Sequence, residues 1–165
     1  MTVDPQVELP SASDEEPRLC DLFSFSFGET TFAVPADQVE ATAEECSIAR
    51  LPHSPAAVLG VASVRGRMVT AIDPLALLNP YGQERLRLLR FVIALRGDEQ
   101  LALAADSLSD TVTIAATDIE PPEAGTDGHA VLGIVRHGGE KIIVLDTSNL
   151  FFAAVRRRER RRRRF

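Results

Sequence analysis

The chain has 165 residues, a length that predicts one domain with short tails rather than a multidomain enzyme. Its residues are 45% hydrophobic but only 5% aromatic, so the core must depend on aliphatic side chains and eight Phe. The net charge of −6 is unevenly divided. Residues 156–165 contain eight Arg and one Glu and contribute +7, which leaves −13 for the rest. The sequence therefore joins an acidic body to a basic tail, and such asymmetry indicates contacts with partners.

Neither a membrane span nor a secretory signal is predicted. No apolar run approaches 18 residues, and residues 1–17 are acidic where a secretory signal would be basic and then apolar. The chain has two cysteines, Cys20 and Cys46, which are too few for disulfides to stabilise a domain of this size and lack metal-ligand spacing. We therefore expect a cytoplasmic protein with reduced thiols. Its parts are an acidic disordered segment over 1–17, a domain over 18–155 and an Arg-rich tail over 156–165.

Short strands separated by turn signals fill the domain. Apolar and polar residues alternate through Phe23, Phe25 and Phe27, which is typical of a half-buried strand. By such patterns, strands are expected over 19–27, 30–35, 58–64, 68–72, 88–96, 99–105, 112–114, 131–136 and 141–145. Residues 41–57 show little periodicity and predict a connector with a short helical turn. Eight or nine strands with helices only in connectors predict an antiparallel all-β barrel or sandwich.

Two Asp residues mark helix starts at corresponding places. Asp73 followed by Pro74 predicts an N-cap and first turn for a helix over 75–78. Asp146 predicts the cap of a final helix over 148–155. Because each Asp follows the second strand of an apolar hairpin, we expect two similar subdomains.

No pattern in the sequence predicts catalysis or metal binding. His53, His129 and His137 stand beside Pro or Gly in turn-like contexts, which is typical of solvated loop residues. There is no Gly-rich loop leading into Lys and Ser, and no two carboxylates are singled out as an acid–base pair. We therefore expect no catalytic residue, no metal and no cofactor.

Two parts of the sequence, Arg65 and the Arg-rich tail, are candidates for binding a partner. Arg65, beside Gly66 in a predicted hairpin turn, can either reach a partner carboxylate or be a solvated tip. The tail can be a solvated helix extension, a nucleic-acid contact, or a contact with anionic lipid or an acidic protein surface. A solvated end is favoured because no aromatic residues are interleaved with the arginines. The candidate polyanion contacts are Arg156, Arg157, Arg158, Arg160, Arg161, Arg162, Arg163 and Arg164.

Five fragments in order resemble the CheW-type domain, a bacterial chemotaxis adaptor family, over about residues 19–152. They are Phe32-Ala-Val-Pro35 with Val39, the run from Leu51 to Asp73 that contains Val64-Arg65-Gly66, Leu103-Ala-Ala-Asp106 with Ile119-Glu-Pro-Pro122, Leu132-Gly-Ile134, and Ile143-Val-Leu-Asp146. Each fragment alone is weak evidence, but their order is specific.

The resemblance implies a fold and a function. The fold is all-β, with two intertwined five-stranded SH3-like barrel subdomains around a shared apolar core, short connecting helices and a C-terminal helix. The function is that of a non-catalytic scaffold that couples the cytoplasmic tip of a methyl-accepting chemoreceptor to the regulatory domain of a CheA-type histidine kinase. The implied receptor-side residues are Val39, Gly60, Val61, Arg65 and Gly66.

The residues also leave other functions open. A small β-barrel protein that binds nucleic acid or another polyanion through its tail is the alternative, although the acidic body would repel phosphate. A hydrolase would need a nucleophile–base pair that the sequence does not offer. The chain also departs from the family pattern: Ser63 and Val64 replace Asn and Leu, and Ala41 replaces a Glu, while strand alternation predicts that Glu40 faces away from Ala41.

Overall fold

The structure is a computed structural model that describes residues 16–78, 89–123 and 130–154. In this part of the chain it contains ten strands: β1 Leu19–Phe27, β2 Thr30–Pro35, β3 Val39–Cys46, β4 Val58–Val64, β5 Arg67–Ile72, β6 Leu89–Leu95, β7 Leu101–Ala105, β8 Ser107–Ala115, β9 Val131–His137 and β10 Glu140–Leu145. One short helix, α1 (Pro74–Leu78), follows β5, and single 3₁₀ turns lie at Ala36–Gln38, Ala116–Asp118 and Thr147–Asn149. The last of these continues into helix over 150–154.

The strands form two five-stranded sheets. The first has the order β8-β1-β2-β10-β9 and the second β3-β6-β7-β5-β4. Hairpin neighbours pair antiparallel, whereas β2 pairs with β10 and β5 pairs with β7 in parallel. The chain thus starts in the first sheet, builds the whole second sheet and then returns, so the two SH3-like barrel subdomains are intertwined.

The two subdomains repeat one another in sequence and structure. Residues 57–73 and 130–146 align without a gap and share six identical residues. Each segment forms a hairpin, β4–β5 or β9–β10, followed by a capped helical turn. The Oδ1 atom of Asp73 accepts the N–H groups of α1's first turn at 2.8 and 3.2 Å, and the Oδ1 atom of Asp146 accepts that of Ser148 at 3.2 Å. The predicted caps and the predicted similarity of the two halves are confirmed.

The largest apolar core lies between the sheets. Phe25 and Phe32, which are opposite each other on β1 and β2, stack with ring centroids 5.7 Å apart and are fully buried. They belong to a cluster that includes most inward residues of the second sheet and Leu150 of the final helix. A smaller cluster, which includes Ala33, fills the first barrel. The strand β2 therefore contributes one face to each core.

The largest error of the sequence-based prediction is β3. The predicted connector over 41–57 is wrong for its first six residues, because residues 39–46 make a full strand paired with β6, and only residues 47–57 connect β3 to β4. The strand contains three Glu and two Ala, residues with little β preference, and its half-buried side chains are small. Pairing with β6 and packing of Ala41 and Ala43 on the core outweigh that weak local preference.

Two smaller differences concern β8 and β1. The strand β8 begins five residues before the predicted Val112, because pairing with β1 extends it across a bulge near Asp110. The strand β1 is not half-buried, since its second face includes Ser24, which is 3% exposed. The Ser24 hydroxyl donates to the Asp110 carbonyl oxygen at 3.0 Å, so its burial leaves no unsatisfied donor.

Candidate functional site

A groove opens at one end of the second barrel, between the start of β3, the β4–β5 turn and the β6–β7 turn. Its volume is about 260 Å³. Buried aliphatic side chains form its floor, and charged or polar groups form its rim. The lining residues are Glu40, Ala41, Val64, Arg65, Arg67, Val69, Ala94, Leu95, Gly97 and Gln100. We call this feature the Arg65 groove.

The β4–β5 turn presents Arg65 in an unusual backbone conformation. Val64 pairs with Arg67, so the turn consists of two residues, Arg65 at φ 50° and Gly66 at φ 79°. Such turns favour Asn or Gly at the first position because other side chains are strained at positive φ. The equivalent turn of the first barrel has Gly138 and Gly139, at φ 58° and 80°. The two barrels therefore use the same turn, but only one carries a side chain at its strained position.

Two arginines lie at the rim of the groove, and only one of them, Arg67, has an ion-pair partner among the described residues. The Arg67 guanidinium donates to the Glu40 carboxylate across the groove. Among the described residues no carboxylate lies within ion-pair distance of Arg65, which is exposed. The groove thus offers a free planar guanidinium above an apolar floor, a combination suited to a partner with a carboxylate beside apolar side chains.

Glu40 reaches the groove because of a bulge in β3. Val39 pairs with Leu95 and Ala41 pairs with Ala94, so Glu40 is the extra residue between two consecutive pairs. The expectation that Glu40 faces away from Ala41 rested on strict alternation, and it is wrong, since both residues line the groove. The sequence offered one signal for the ion pair, the opposite charges of Glu40 and Arg67. Nothing local indicated that residues 27 positions apart would meet.

The five predicted receptor-side residues do not all lie at the groove. Arg65 and Gly66 form the turn, and Val39 adjoins the groove through its neighbour Glu40. Gly60 and Val61 lie in the middle part of β4, several residues from the turn. The structure thus brings three of the candidates to one end of the barrel and leaves two in the strand.

Gly60 is required by a close approach of the backbone. A Cβ at this position would lie 2.3 Å from the carbonyl oxygen of Ala49, and its φ is 150°. The crossing segment is held there by hydrogen bonds between Ala49 and Val61, at 2.8 and 2.9 Å. In the first barrel Gly133 has the same role, with a Cβ 2.5 Å from the Glu120 carbonyl oxygen. Packing alone accounts for a glycine at this place in both barrels.

Nucleophilic and metal chemistry have little support in the described part of the chain. No group of three or more His, Cys, Asp or Glu side chains there could hold a metal ion. Burial raises the pKa of the Cys46 thiol, so at neutral pH it is protonated and a poor nucleophile. His53 and His137 are exposed, as expected for loop histidines, and His129 lies outside the described residues.

A second charged cluster lies on the first barrel. The Lys141 ammonium is 2.8 Å from the Glu123 carboxylate, and Arg136 is 3.9 Å from Glu120. The hydrogen bond from Lys141 lowers the pKa of Glu123. These pairs tie residues 120–123 to the β9–β10 hairpin, alongside the backbone bonds between Glu120 and Ile134 at 2.8 and 2.9 Å.

Two of the predicted segments lie wholly or mostly outside the described residues. Residues 1–15 of the expected disordered segment and the whole Arg-rich tail, 156–165, lie outside the described residues. None of the described helices has the length and apolar character needed to cross a bilayer.

Comparison with known proteins identifies the fold and the family. The chain is 29% identical to Protein FrzA of Myxococcus xanthus over 135 residues, which is 79% of this chain and 84% of that protein. It is 26% identical over 134 residues to the Chemotaxis protein CheW of Rhizobium meliloti (strain 1021), which is 79% of this chain and 86% of that protein.

A solved structure has the same fold. The crystal structure of the scaffolding protein TtCheW from Thermoanaerobacter tengcongensis matches with a TM-score of 0.67 at 22% identity, covering 80% of this chain and 87% of that one. The CheW-like domain model matches residues 21–154, which include all ten strands except the first two residues of β1. The chain therefore belongs to the CheW-like domain family.

Proposed function

We propose that the chain is a non-catalytic chemotaxis-type adaptor that couples a chemoreceptor to a CheA-type histidine kinase. The observation that carries the proposal is the Arg65 groove, which offers an uncompensated guanidinium on a strained turn above an apolar floor. Among the named relatives are chemotaxis proteins and a scaffolding protein. An adaptor needs surfaces of complementary shape and charge, and it needs no reacting group.

The receptor side is assigned to the Arg65 groove. The internal repeat supports this choice, because Arg65 occupies a position where the first barrel has Gly138 and where an Arg side chain costs stability. A costly side chain that is exposed and has no ion-pair partner among the described residues is better explained by binding than by folding. Arg65, Gly66 and Val39 are the proposed contact residues, and Glu40 and Arg67 border them.

Gly60 and Val61 have a supporting role in the proposed site. They hold β4 against the crossing segment at Ala49. This contact fixes the direction of β4 and therefore the position of the β4–β5 turn. We assign them to positioning of the receptor site and not to direct contact.

The kinase is proposed to dock elsewhere on the barrels, through apolar contacts with its regulatory domain. This division predicts that changes in the Arg65 groove affect one partner more than the other. The adaptor would act in the cytoplasm with its two cysteines reduced, and both are free thiols in the structure. The proposed folded unit is 18–155.

The test is a comparison of two binding affinities for one variant. Arg65→Ala is expected to weaken binding of a receptor cytoplasmic tip fragment about tenfold or more, the size of effect expected from losing a charge-assisted hydrogen bond. It is expected to leave affinity for the kinase regulatory domain unchanged. Arg136→Ala, which removes an exposed Arg from the equivalent hairpin of the first barrel, is the matched control and should change neither affinity. Equal losses for both partners with Arg65→Ala would contradict the assignment and indicate a structural arginine.

A further inference from the structure

An ion pair between Glu40 and Arg67 spans the Arg65 groove. Glu40 lies on β3 and Arg67 on β5, and the strands β6 and β7 stand between these two in the order of the second sheet. The pair therefore does not join neighbouring strands. The side chains of Glu40 and Arg67 are 37% and 54% exposed, and exposed ion pairs contribute little to stability. Its main effect is therefore on the electrostatics of the groove.

A β-bulge at the start of β3 brings Glu40 to the groove. Glu40 is the extra residue between two consecutive pairs of β3 with β6. Bulges interrupt a ladder and commonly redirect a side chain next to a functional site. In the first barrel β8 takes the place of β3, and its first two residues, Ser107 and Leu108, pair with β1 without a bulge. The bulge at Glu40 is thus a feature of the second barrel and not of the repeated fold.

The arginines of the groove are also absent from the first barrel. In the gapless alignment of residues 57–73 with residues 130–146, Arg67 corresponds to Glu140 and Arg65 corresponds to Gly138. Both barrels form the same hairpin, so the fold does not require either arginine or the acid that pairs with Arg67. These charges are therefore expected to serve the groove.

The ion pair sets how much positive charge the groove offers to a partner. Its charged lining residues are Glu40, Arg65 and Arg67, which together carry +1. A partner carboxylate at Arg65 is compensated, because Arg65 has no ion-pair partner among the described residues. A second carboxylate beside it would meet the like charge of Glu40 and an Arg67 that is already paired. The buried floor, which includes Val69 and Leu95, can cover an apolar side chain next to the first carboxylate.

We propose that Glu40 is a specificity-determining residue, which limits the Arg65 groove to a receptor segment that presents one carboxylate beside an apolar side chain. This inference rests on the proposed function and adds the chemistry of the segment that the groove selects. A like charge placed against the wrong partner is a common means of specificity. Glu40 thus acts against segments with two adjacent acids, and its ion pair with Arg67 holds its carboxylate at the groove.

Two variants that break the same ion pair separate selection from a structural role. Glu40→Gln makes Arg67 available to the partner and removes a like charge, so affinity for the receptor cytoplasmic tip fragment should rise about threefold to fivefold. Arg67→Gln leaves the Glu40 carboxylate without its partner and should lower that affinity by a similar factor. Glu44→Gln, which removes an exposed acid on the same strand outside the groove, is the matched control and should leave the affinity unchanged. Denaturant titration checks that each variant is folded.

Substitutions in the receptor fragment test the selected chemistry. Each Asp or Glu of the fragment is first replaced in turn by Asn or Gln, and affinity for the parent chain should depend strongly on one of them, a dependence that should disappear in Arg65→Ala. A Glu is then introduced at each of the four positions on either side of that acid. At one or more positions this second acid should weaken binding to the parent chain, and Glu40→Gln should tolerate it.

The outcomes distinguish this inference from the adaptor function on which it rests. The inference alone would be overturned by lower or unchanged affinity in Glu40→Gln, by a parent chain that depends equally on several acids, or by second acids that both chains tolerate alike. Absence of any binding of the fragment by the folded parent chain would overturn the adaptor function together with it.

Discussion

At the scale of single residues, the internal repeat separates positions that serve the fold from positions that serve a partner. Gly60 and Gly133 stand at equivalent places and meet the same obstacle, a backbone carbonyl of the crossing segment. Arg65 and Gly138 also stand at equivalent places, but they differ in side chain while the backbone stays the same. Where two equivalent positions differ in side chain and the fold does not require the difference, we expect the side chain to serve binding.

Arg65→Asn is expected to stabilise the fold. Asn adopts positive φ more readily than Arg and is favoured at the first position of this two-residue turn, so the gain should be about 0.5–1 kcal/mol. The free energy of unfolding from denaturant titration measures it. Gly138→Asn, in the turn whose first position is already unstrained, serves as the control and should change stability less. If Arg65→Asn destabilised the chain, the interpretation of Arg65 as a strained binding residue would fail.

Gly60→Ala is expected to be strongly destabilising. The added Cβ would meet the Ala49 carbonyl oxygen at 2.3 Å, so the crossing segment would have to move, at a cost of about 2–4 kcal/mol. The comparison is Gly139→Ala, which also has positive φ but nothing within 4 Å of its Cβ. That variant should lose only about 1 kcal/mol. Similar losses in the two variants would mean that backbone strain, and not the close approach, makes Gly60 necessary.

At the scale of elements, the first barrel holds residues 120–123 by both backbone and charge. The lowered pKa of Glu123 means that its carboxylate is favoured in the folded chain. The stabilisation from its pair with Lys141 is therefore fully present above the ordinary pKa of 4.5 and is lost as the pH falls through the lower, folded value. Because both side chains are exposed, the effect on stability should be small and sensitive to salt.

A carboxyl titration followed by NMR checks this pair. In the parent chain the Glu123 midpoint is expected below 4.5, and Lys141→Gln should move it back toward that value. High salt should have the same direction of effect, since it screens the attraction. An unchanged midpoint in Lys141→Gln would show that Lys141 does not stabilise the carboxylate.

Elements with local signals were predictable from sequence. Hairpins such as β1–β2 and β9–β10 combine period-two alternation with glycine turns, and Asp73 and Asp146 cap helices through contacts two or three residues away. The strand β3 was missed because its sequence has weak β preference and its pairing partner β6 lies about fifty residues further along the chain. Its existence depends on a contact that no local pattern records.

The candidate site was predictable only in part, for the same reason. Arg65 and Gly66 stand out in sequence because the turn that carries them is local. The Arg65 groove requires the start of β3, a bulge at Glu40 and the β6–β7 turn to meet, and these are distant in the chain. The resemblance to the family indicated that residues around Arg65 contact the receptor. The structure added the ion pair between Arg67 and Glu40, which leaves Arg65 as the cation at the groove without an ion-pair partner among the described residues.

At the scale of the whole molecule, the described residues form two barrels joined by the large core between the sheets, so removal of the flanking segments should leave that core intact. Truncation to residues 18–155 is expected to preserve the unfolding midpoint in denaturant and the affinity for the kinase regulatory domain. The reason is that all ten strands and the helix residues buried in the core lie within these bounds. Denaturant titration and a binding assay on the truncated chain provide the measurement. A loss of kinase affinity that disappears at high salt would contradict this, and would indicate that a flanking segment is an electrostatic partner site.

The division of charge between an acidic body and a basic end stays as the sequence has it, because residues 156–165 lie outside the described residues. The solvated tail, favoured because no aromatics are interleaved with the arginines, therefore stays a prediction. The binding surface proposed from the described residues is the Arg65 groove at one end of the second barrel.

The most direct test of the adaptor function is whether this chain binds both partners at the same time. The kinase regulatory domain is titrated into the full chain already saturated with a receptor cytoplasmic tip fragment, and complex formation is followed by calorimetry and gel filtration. The predicted result is a ternary complex, with kinase affinity unchanged by the receptor fragment in the parent chain and receptor occupancy reduced in Arg65→Ala at the same fragment concentration. Binding of neither partner by a chain with an intact unfolding transition, or displacement of one partner by the other, would contradict the proposal.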